Sequence, residues 1–178
     1  MKRNQSVRAV FAEIAIVVMA IFLIATASGF VASVDPVHAA GDPIVVIVNG
    51  SNLVNNLSMA ELRKLFLSDR STWDTGRPVS PVMLMAGAPE RTQFLKVVYN
   101  MNDADFDKYF LRAAFAGKFP TPPKEVGSAQ DVKRIVGNSP GAIGFVRSSD
   151  FHSDNELVIK MVRIDGVAAT DAAYKIHM

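Results

Sequence analysis

The sequence contains no cysteine and a single tryptophan. Without cysteine the chain can form neither a disulfide nor a thiolate metal site, and it has no thiol nucleophile and no cysteine to carry an N-terminal lipid. Its stability must therefore come from the packing of apolar residues, which make up 49% of the chain. A chain of 178 residues is long enough to bury one core of ordinary size.

The sequence also lacks the residue combinations of common catalytic sites. No Ser-His-Asp set, no paired catalytic carboxylates and no glycine-rich phosphate loop with its lysine can be assembled from it. Of the three histidines, His38 lies in the N-terminal region and His177 is next to last. We therefore predict that the chain is not an enzyme and uses no cofactor.

The first 39 residues are predicted to be an export signal. Three basic residues within the first eight precede an apolar run over residues 14–27, and a Val-x-Ala site at Val37 and Ala39 follows. Signal peptidase accepts small or aliphatic residues at these two positions, which places the cut after Ala39. The alternative is an uncleaved anchor, because the apolar stretch extended to Val34 could cross a bilayer. Cleavage would release residues 40–178 into the periplasm or outside the cell, and only an uncleaved leader would hold the chain on a membrane.

The charge of the chain does not indicate a polyanionic partner. The predicted leader holds three of the 19 basic and two of the 17 acidic residues, so 16 and 15 remain and the net charge falls from +2 to +1. A domain this close to neutral lacks the overall basic charge that is typical of nucleic-acid binding. We therefore predict no nucleic-acid partner.

Residues 40–178 are predicted to form one α/β domain. Predicted strands occupy residues 44–48, 79–85, 142–146 and 156–164. Predicted helices begin at Ser58, Pro89, Asp103 and Ser128, each a residue type that favours a helix start. The helix with Asp103 as its N-cap is predicted to bury Phe106, Phe110, Ala113 and Ala114. Because helices and strands alternate, the pattern predicts a mostly parallel sheet flanked by about four helices.

The start of the helix at Pro89 is a candidate anion site. It follows a predicted strand and a glycine turn, and Ala88 offers no side-chain cap to the first N–H groups of the helix. Free N–H groups and the helix dipole attract an anion, and Arg91 and Thr92 could add a charge and a hydroxyl. The alternative is that water satisfies these N–H groups, as at many helix starts.

Two other groups of residues have a functional and a structural interpretation. Asp150, His152, Asp154 and Glu156 alternate, so in an extended segment they share a face and could bind a metal ion. The alternative is a solvated turn that leads into a strand. Trp73 could be a platform on which a ligand stacks, or an aromatic residue that covers one end of the core.

Five segments in order resemble the second lobe of the phosphate-binding component of ABC transporters. They span most of residues 44–166 and comprise residues 57–67 (LSMAELRKLFL), 73–79 (WDTGRPV), Phe94, 126–128 with Val132 and Val136, and 140–146 (PGAIGFV). The resemblance implies one periplasmic-binding-protein-like lobe over residues 40–178, an oxyanion such as phosphate as the ligand, and a transporter as a partner. A complete member of that family closes two lobes around its ligand, and this chain has length for one.

The same resemblance shows where the ligand loop differs. When Gly87 is set on the family's glycine, Leu84 falls where the family has its phosphate-binding arginine. Ala88 and Glu90 fall on the binding serine and threonine. A leucine donates nothing to an oxyanion, and a glutamate repels it.

Two functions follow from this loop. The first is an exported solute-binding module for phosphate or another oxyanion, with Gly87, Arg91 and Thr92 as its ligand contacts and Arg91 in place of the missing arginine. The second is a non-transport accessory protein that keeps the lobe fold to bind a protein partner.

Overall fold

The computed structural model describes residues 41–151 and 158–178. The predicted leader lies outside these residues, as do His152, Asp154 and Glu156 of the predicted metal face. Within the described ranges no helix is both long and apolar enough to span a membrane. The same ranges contain no group of three histidine, cysteine, aspartate or glutamate residues that could hold a metal ion.

The described residues form six strands and four helices. The strands are β1 (Ile44–Asn49), β2 (Asn56–Leu57), β3 (Ser80–Leu84), β4 (Lys124–Val126), β5 (Ala142–Arg147) and β6 (Ile159–Ile164). The helices are α1 (Met59–Phe66), α2 (Pro89–Tyr99), α3 (Asp103–Phe115) and α4 (Ala129–Asn138). One 3-10 turn, Ser148–Asp150, follows β5.

The strands form one mixed sheet in the order β2-β6-β1-β5-β3-β4. β3 pairs in parallel with β4 and β5, and β2 pairs in parallel with β6, whereas β1 is antiparallel to both of its neighbours. The predicted class, a mostly parallel sheet flanked by four helices, is confirmed. β1 is buried along its whole length, as its apolar run predicts, although its pairing is antiparallel.

The apolar core lies on both faces of this sheet. Alternate residues of β1 face opposite sides, so Val46 packs with α1, α2 and α3 and Val45 packs with α4. On the three-helix side the rings of Phe94 and Phe145 stack with their centroids 3.9 Å apart, and Phe66 lies 5.1 Å from Phe94. Burial of these aromatic side chains contributes to the attachment of α1 and α2 to the sheet.

Trp73 belongs to the core and not to an exposed platform. Its side chain is 3% exposed, and its indole N–H donates to the carbonyl oxygen of Gly141 at 3.0 Å. A buried tryptophan with a satisfied N–H covers one end of the core, which is the structural alternative stated above.

The N-cap of α3 and the burial of its last turn differ from the sequence-based prediction. Its N-cap is Asn102, whose side-chain oxygen accepts the Asp105 N–H at 2.9 Å, because the Asp103 carboxylate is used elsewhere. Phe106 and Phe110 are buried as predicted, but Ala114 is exposed. The last turn of α3 therefore extends beyond the core that its first two turns cover.

The carboxyl ends of β3, β4 and β5 lie at the same end of the sheet. They end at Leu84, Val126 and Arg147, and the first residue of β1, Ile44, pairs with Arg147. The N-termini of α2 and α4 follow β3 and β4 at this end. We call it the carboxyl edge.

Candidate functional site

The candidate anion loop connects β3 to α2 at the carboxyl edge. The Met85 N–H donates to the Val126 carbonyl at 2.9 Å, which fixes the loop beside β4. Gly87 has a φ of +85°, a conformation that other residues rarely adopt. The N-cap of α2 is Ala88, which makes no side-chain capping bond. The loop thus has the open helix start that the sequence predicted.

Arg91 lies on the first turn of α2 and is fully buried. Its Nε donates to Asp103 Oδ1 at 2.6 Å, and its Nη1 donates to Glu125 Oε1 at 2.5 Å and to the Leu84 carbonyl at 3.1 Å. A third carboxylate, that of Asp107, is 3.5 Å from Nη2. The guanidinium is therefore compensated on every side, which a buried charge requires.

The Asp103 carboxylate links Arg91 to the loop. While Oδ1 accepts the Arg91 Nε–H, Oδ2 accepts the Gly87 N–H at 3.3 Å. A backbone N–H and a guanidinium are two of the three donors that the sequence assigned to an external oxyanion, the third being the Thr92 hydroxyl. In this structure a carboxylate of the same chain occupies the first two.

The three predicted ligand residues have different environments. Gly87 and Arg91 meet through Asp103, and the Arg91 guanidinium could contact an external ligand only after it gave up a carboxylate. Thr92 is exposed, and its side chain makes no hydrogen bond to any described residue. Ligand contacts from these three residues stay a prediction, and the burial of Arg91 weighs against its part in them.

A second ion pair lies beside the loop. Glu90 Oε1 is 2.5 Å from Nε of Arg147, at the end of β5, although the two atoms are not aligned for a hydrogen bond. Glu90 is the residue that the alignment places on the family's binding threonine. Its partner is thus another side chain of the chain and not an oxyanion.

The carboxyl edge carries more negative than positive charge around this loop. The ion pairs there join two arginines, Arg91 and Arg147, to four carboxylates, those of Glu90, Asp103, Asp107 and Glu125. An oxyanion would have to approach this excess of like charge, which lowers its affinity. Asp103 and Glu125 are 12 and 34 residues from Arg91 along the chain. No local sequence pattern indicates contacts at such separations.

Several solved structures with a similar fold are proteins named for phosphate binding or phosphate transport. A protein assigned as a phosphate ABC transporter substrate-binding protein, from Clostridium perfringens and with bound phosphate, superposes with a TM-score of 0.58 at 19% identity, over 72% of this chain and 47% of that one. An ABC-type phosphate transport receptor from Vibrio cholerae gives 0.57 at 18% identity, over 72% and 48%. PstS from Borrelia burgdorferi gives 0.57 at 11% identity, over 71% and 49%.

The chain has the fold of one lobe of these phosphate-binding proteins. It spans about half the length of each, as a single lobe does. All three are binding proteins and not enzymes. No protein-family model matches the sequence, and no curated protein matches it. At these identities the likeness shows the fold, and function has to be argued from the carboxyl edge itself.

Proposed function

We propose that the chain is an exported, solute-binding-protein-like module of an oxyanion transport system that binds phosphate or a related oxyanion weakly. The loop of Gly87 and the first turn of α2 would be its binding site, and a transporter or another envelope protein its partner. The fold supports the class of ligand, since the neighbours in structure are phosphate-binding proteins. One observation carries the statement that binding is weak: the Asp103 carboxylate already contacts both Gly87 and Arg91.

Two further features reduce the affinity for an external anion. The four carboxylates beside the Gly87 loop outnumber the two arginines with which they pair, so an oxyanion is repelled where it would bind. A tight site also buries roughly 70–90% of its ligand, and one lobe leaves the ligand open to water and salt. We expect a dissociation constant on the order of millimolar or weaker for the monomer.

Calorimetric titration of the chain recovered after export, with phosphate and sulfate, tests this proposal. Asp103→Ala should increase phosphate affinity about tenfold or more, because each hydrogen bond returned to a charged ligand contributes roughly 1.5–3 kcal/mol. Asp105→Ala is the matched control: Asp105 lies on the same turn of α3, but its carboxylate is 3.9 Å from Lys108 and makes no contact with Arg91. Micromolar phosphate binding by a proven wild-type monomer would contradict the proposal.

The same contact supports a second function, the accessory protein that binds a protein partner. A loop whose donors are satisfied by Asp103 is stable without any ligand. A folded Asp103→Ala chain that still binds no oxyanion would exclude the first function and favour this one. Circular dichroism and the unfolding midpoint of the variant would establish that it is folded.

A further inference from the structure

We infer that the end of α3 and the loop after it form a surface that binds an anionic membrane. We call this surface the α3 tip and define it by Leu111, Arg112, Phe115, Lys118 and Phe119. It lies apart from the candidate anion loop, so the inference goes beyond the proposed function and does not depend on it.

Two phenylalanine side chains of the α3 tip are almost completely exposed. Phe115 is 85% exposed and Phe119 is 83% exposed, more than any other large apolar side chain among the described residues, and Leu111 is 57% exposed. Phe106 and Phe110 anchor the first turns of the same helix in the core. Phe115 thus projects from the end of a fixed helix and Phe119 from the loop that follows it, and contact with water is unfavourable for both rings.

The charged residues in the segment that carries these rings all have the same sign. From Lys108 to Lys124 the sequence holds four basic residues and no acidic one. The acidic residues on either side of this run, Asp107 and Glu125, pair with Arg91 and so do not neutralise the basic groups of the α3 tip.

The basic groups of this run are also largely unneutralised. Arg112, Lys118 and Lys124 make no ion pair with any residue that the structure describes. Two carboxylates contact the run: Asp105, 3.9 Å from the Lys108 amine, and Asp69, which accepts the Tyr109 hydroxyl at 3.0 Å. Basic charge therefore exceeds acidic charge beside the exposed rings.

This combination matches a lipid surface better than a protein groove or a nucleic acid. Rings that project from a helix end can enter the boundary between headgroups and acyl chains, while Arg112 and Lys118 extend their charged ends to anionic headgroups. A protein partner would have to cover both rings and also supply acidic groups for Arg112 and Lys118. Single-stranded nucleic acid would need a groove lined with several rings for stacking, whereas Phe119 is the one aromatic residue among those that line the groove beside it.

The geometry also keeps the α3 tip away from the candidate site. α3 begins at Asp103, which contacts Gly87 at the carboxyl edge, and Phe115 is its last residue. Twelve residue steps of helix separate them by about 18 Å. A chain that bound a bilayer through the α3 tip would hold the Gly87 loop clear of the lipid.

The absence of cysteine allows this surface to be labelled at one site. The full chain with Ala114→Cys would carry an environment-sensitive fluorophore on the exposed last turn of α3, and Met85→Cys would carry it at the carboxyl edge as the control. We expect a blue shift at position 114 with vesicles that contain phosphatidylglycerol, none with pure phosphatidylcholine, and no shift at position 85. The fluorophore reports only its own surroundings. A retained leader that tethers every variant to the membrane equally would therefore not by itself produce a difference between positions 114 and 85.

Substitutions within the α3 tip should reduce the blue shift, and the reduction should depend on whether a ring or a charge is removed. Phe115→Ser with Phe119→Ser should lower the equilibrium constant for burial of the label at least about tenfold. Arg112→Gln with Lys118→Gln should lower it about fivefold per residue at low salt, with little effect at high salt. Arg134→Gln, on the opposite face of the sheet, should change nothing.

Equal responses at positions 114 and 85, or a response that survives the double phenylalanine substitution, would overturn the inference. It would also be overturned if anionic vesicles left the label unchanged and a purified envelope protein or single-stranded DNA buried it, since the α3 tip would then bind that macromolecule.

Discussion

The charged side chains at the two ends of α3 lie in opposite environments. At its start, Asp103 and Asp107 pair with the buried guanidinium of Arg91, so the charge of this arginine is compensated by the chain's own carboxylates. At its end, Arg112 and Lys118 stand in solvent beside two exposed rings. Charged residues at a helix start therefore need not form a binding site. Exposure and the absence of an internal partner are the features on which the α3 tip is proposed as one.

The largest effect on stability is expected for Arg91→Ala, which removes the partner of the carboxylates at the start of α3. Loss of the guanidinium leaves a cavity and several carboxylates without their partner, which should cost about 3–5 kcal/mol in the free energy of unfolding. Arg112→Ala, the matched change at the exposed end, should cost less than about 0.5 kcal/mol. Urea unfolding of both variants measures the difference.

Equal stabilities for the two variants would show that the ion pairs of Arg91 do not stabilise the fold. The result also bears on ligand binding: loss of phosphate binding in Arg91→Ala would follow from lost structure and could not by itself identify a ligand contact.

A smaller effect is expected at Asp103 itself. Asp103→Asn keeps the shape of the side chain but removes the charge that Arg91 contacts at 2.6 Å, which should lower stability by roughly 1.5–3 kcal/mol. Asp105→Asn on the same turn should stay within about 0.5 kcal/mol. Thermal unfolding with and without phosphate sharpens the test, since phosphate should restore part of the stability of Asp103→Ala and none of Asp105→Ala.

A related comparison concerns two acids near α1, both of which accept hydrogen bonds but differ in exposure. Glu61 accepts the Ser58 N–H at 2.8 Å in a capping box, while Asp74 is 90% exposed although it lies 2.6 Å from Arg70. Glu61→Ala should cost about 0.5–1.5 kcal/mol and Asp74→Ala almost nothing, as unfolding curves at neutral pH would show. Comparable losses for the two variants would mean that the cap is not what stabilises α1.

The pH dependence of this effect has a definite sign. Hydrogen bonds from the Ser58 N–H and hydroxyl, and less strongly the charge of Arg70, lower the pKa of Glu61 below its usual value. A lowered pKa means that the contribution is complete above the unfolded-state pKa and disappears as the pH falls through the lower, folded-state pKa. The stability difference between wild type and Glu61→Ala should therefore shrink in acid; a constant difference down to that range would contradict the assignment.

The smallest effect is expected for Thr92→Ala. Its exposed hydroxyl makes no bond to the described residues, so stability should not change measurably. If the proposed oxyanion site exists, phosphate binding should weaken only severalfold, because a neutral hydroxyl contributes about 0.5–1.5 kcal/mol. Complete loss of binding in titrations of this variant would make Thr92 the main contact and would displace Arg91 from the proposal.

Local patterns predicted most of the fold. The continuous apolar run became β1, and the capping residue Ser58 and the first-turn Pro89 mark the starts of α1 and α2. β2 and β4 were not predicted, because strands of two or three residues exist only through partners far along the chain. Their formation depends on tertiary pairing that no short window contains.

The candidate site was harder to predict than the fold. The open helix start and the glycine turn are local features, and the structure has both. Whether Arg91 is free to bind a ligand depends on Asp103 and Glu125, which the packing of α3 and β4 brings into contact with it. Asp103 had a plausible local role as an N-cap, and Asn102 takes that role instead. Residue type and spacing could not decide between a charge that binds a ligand and one that binds its own chain.

The burial of Trp73 has a practical consequence for all of these measurements. It is the only tryptophan in the sequence, its indole is shielded from water, and its N–H is held by Gly141 next to the start of β5. Its fluorescence emission should be blue in the folded chain and shift to the red when the core opens. Since Gly141 lies at the end of β5 away from the carboxyl edge, an oxyanion at the Gly87 loop should leave this emission unchanged. The protein thus carries an intrinsic optical signal that reports unfolding separately from ligand binding.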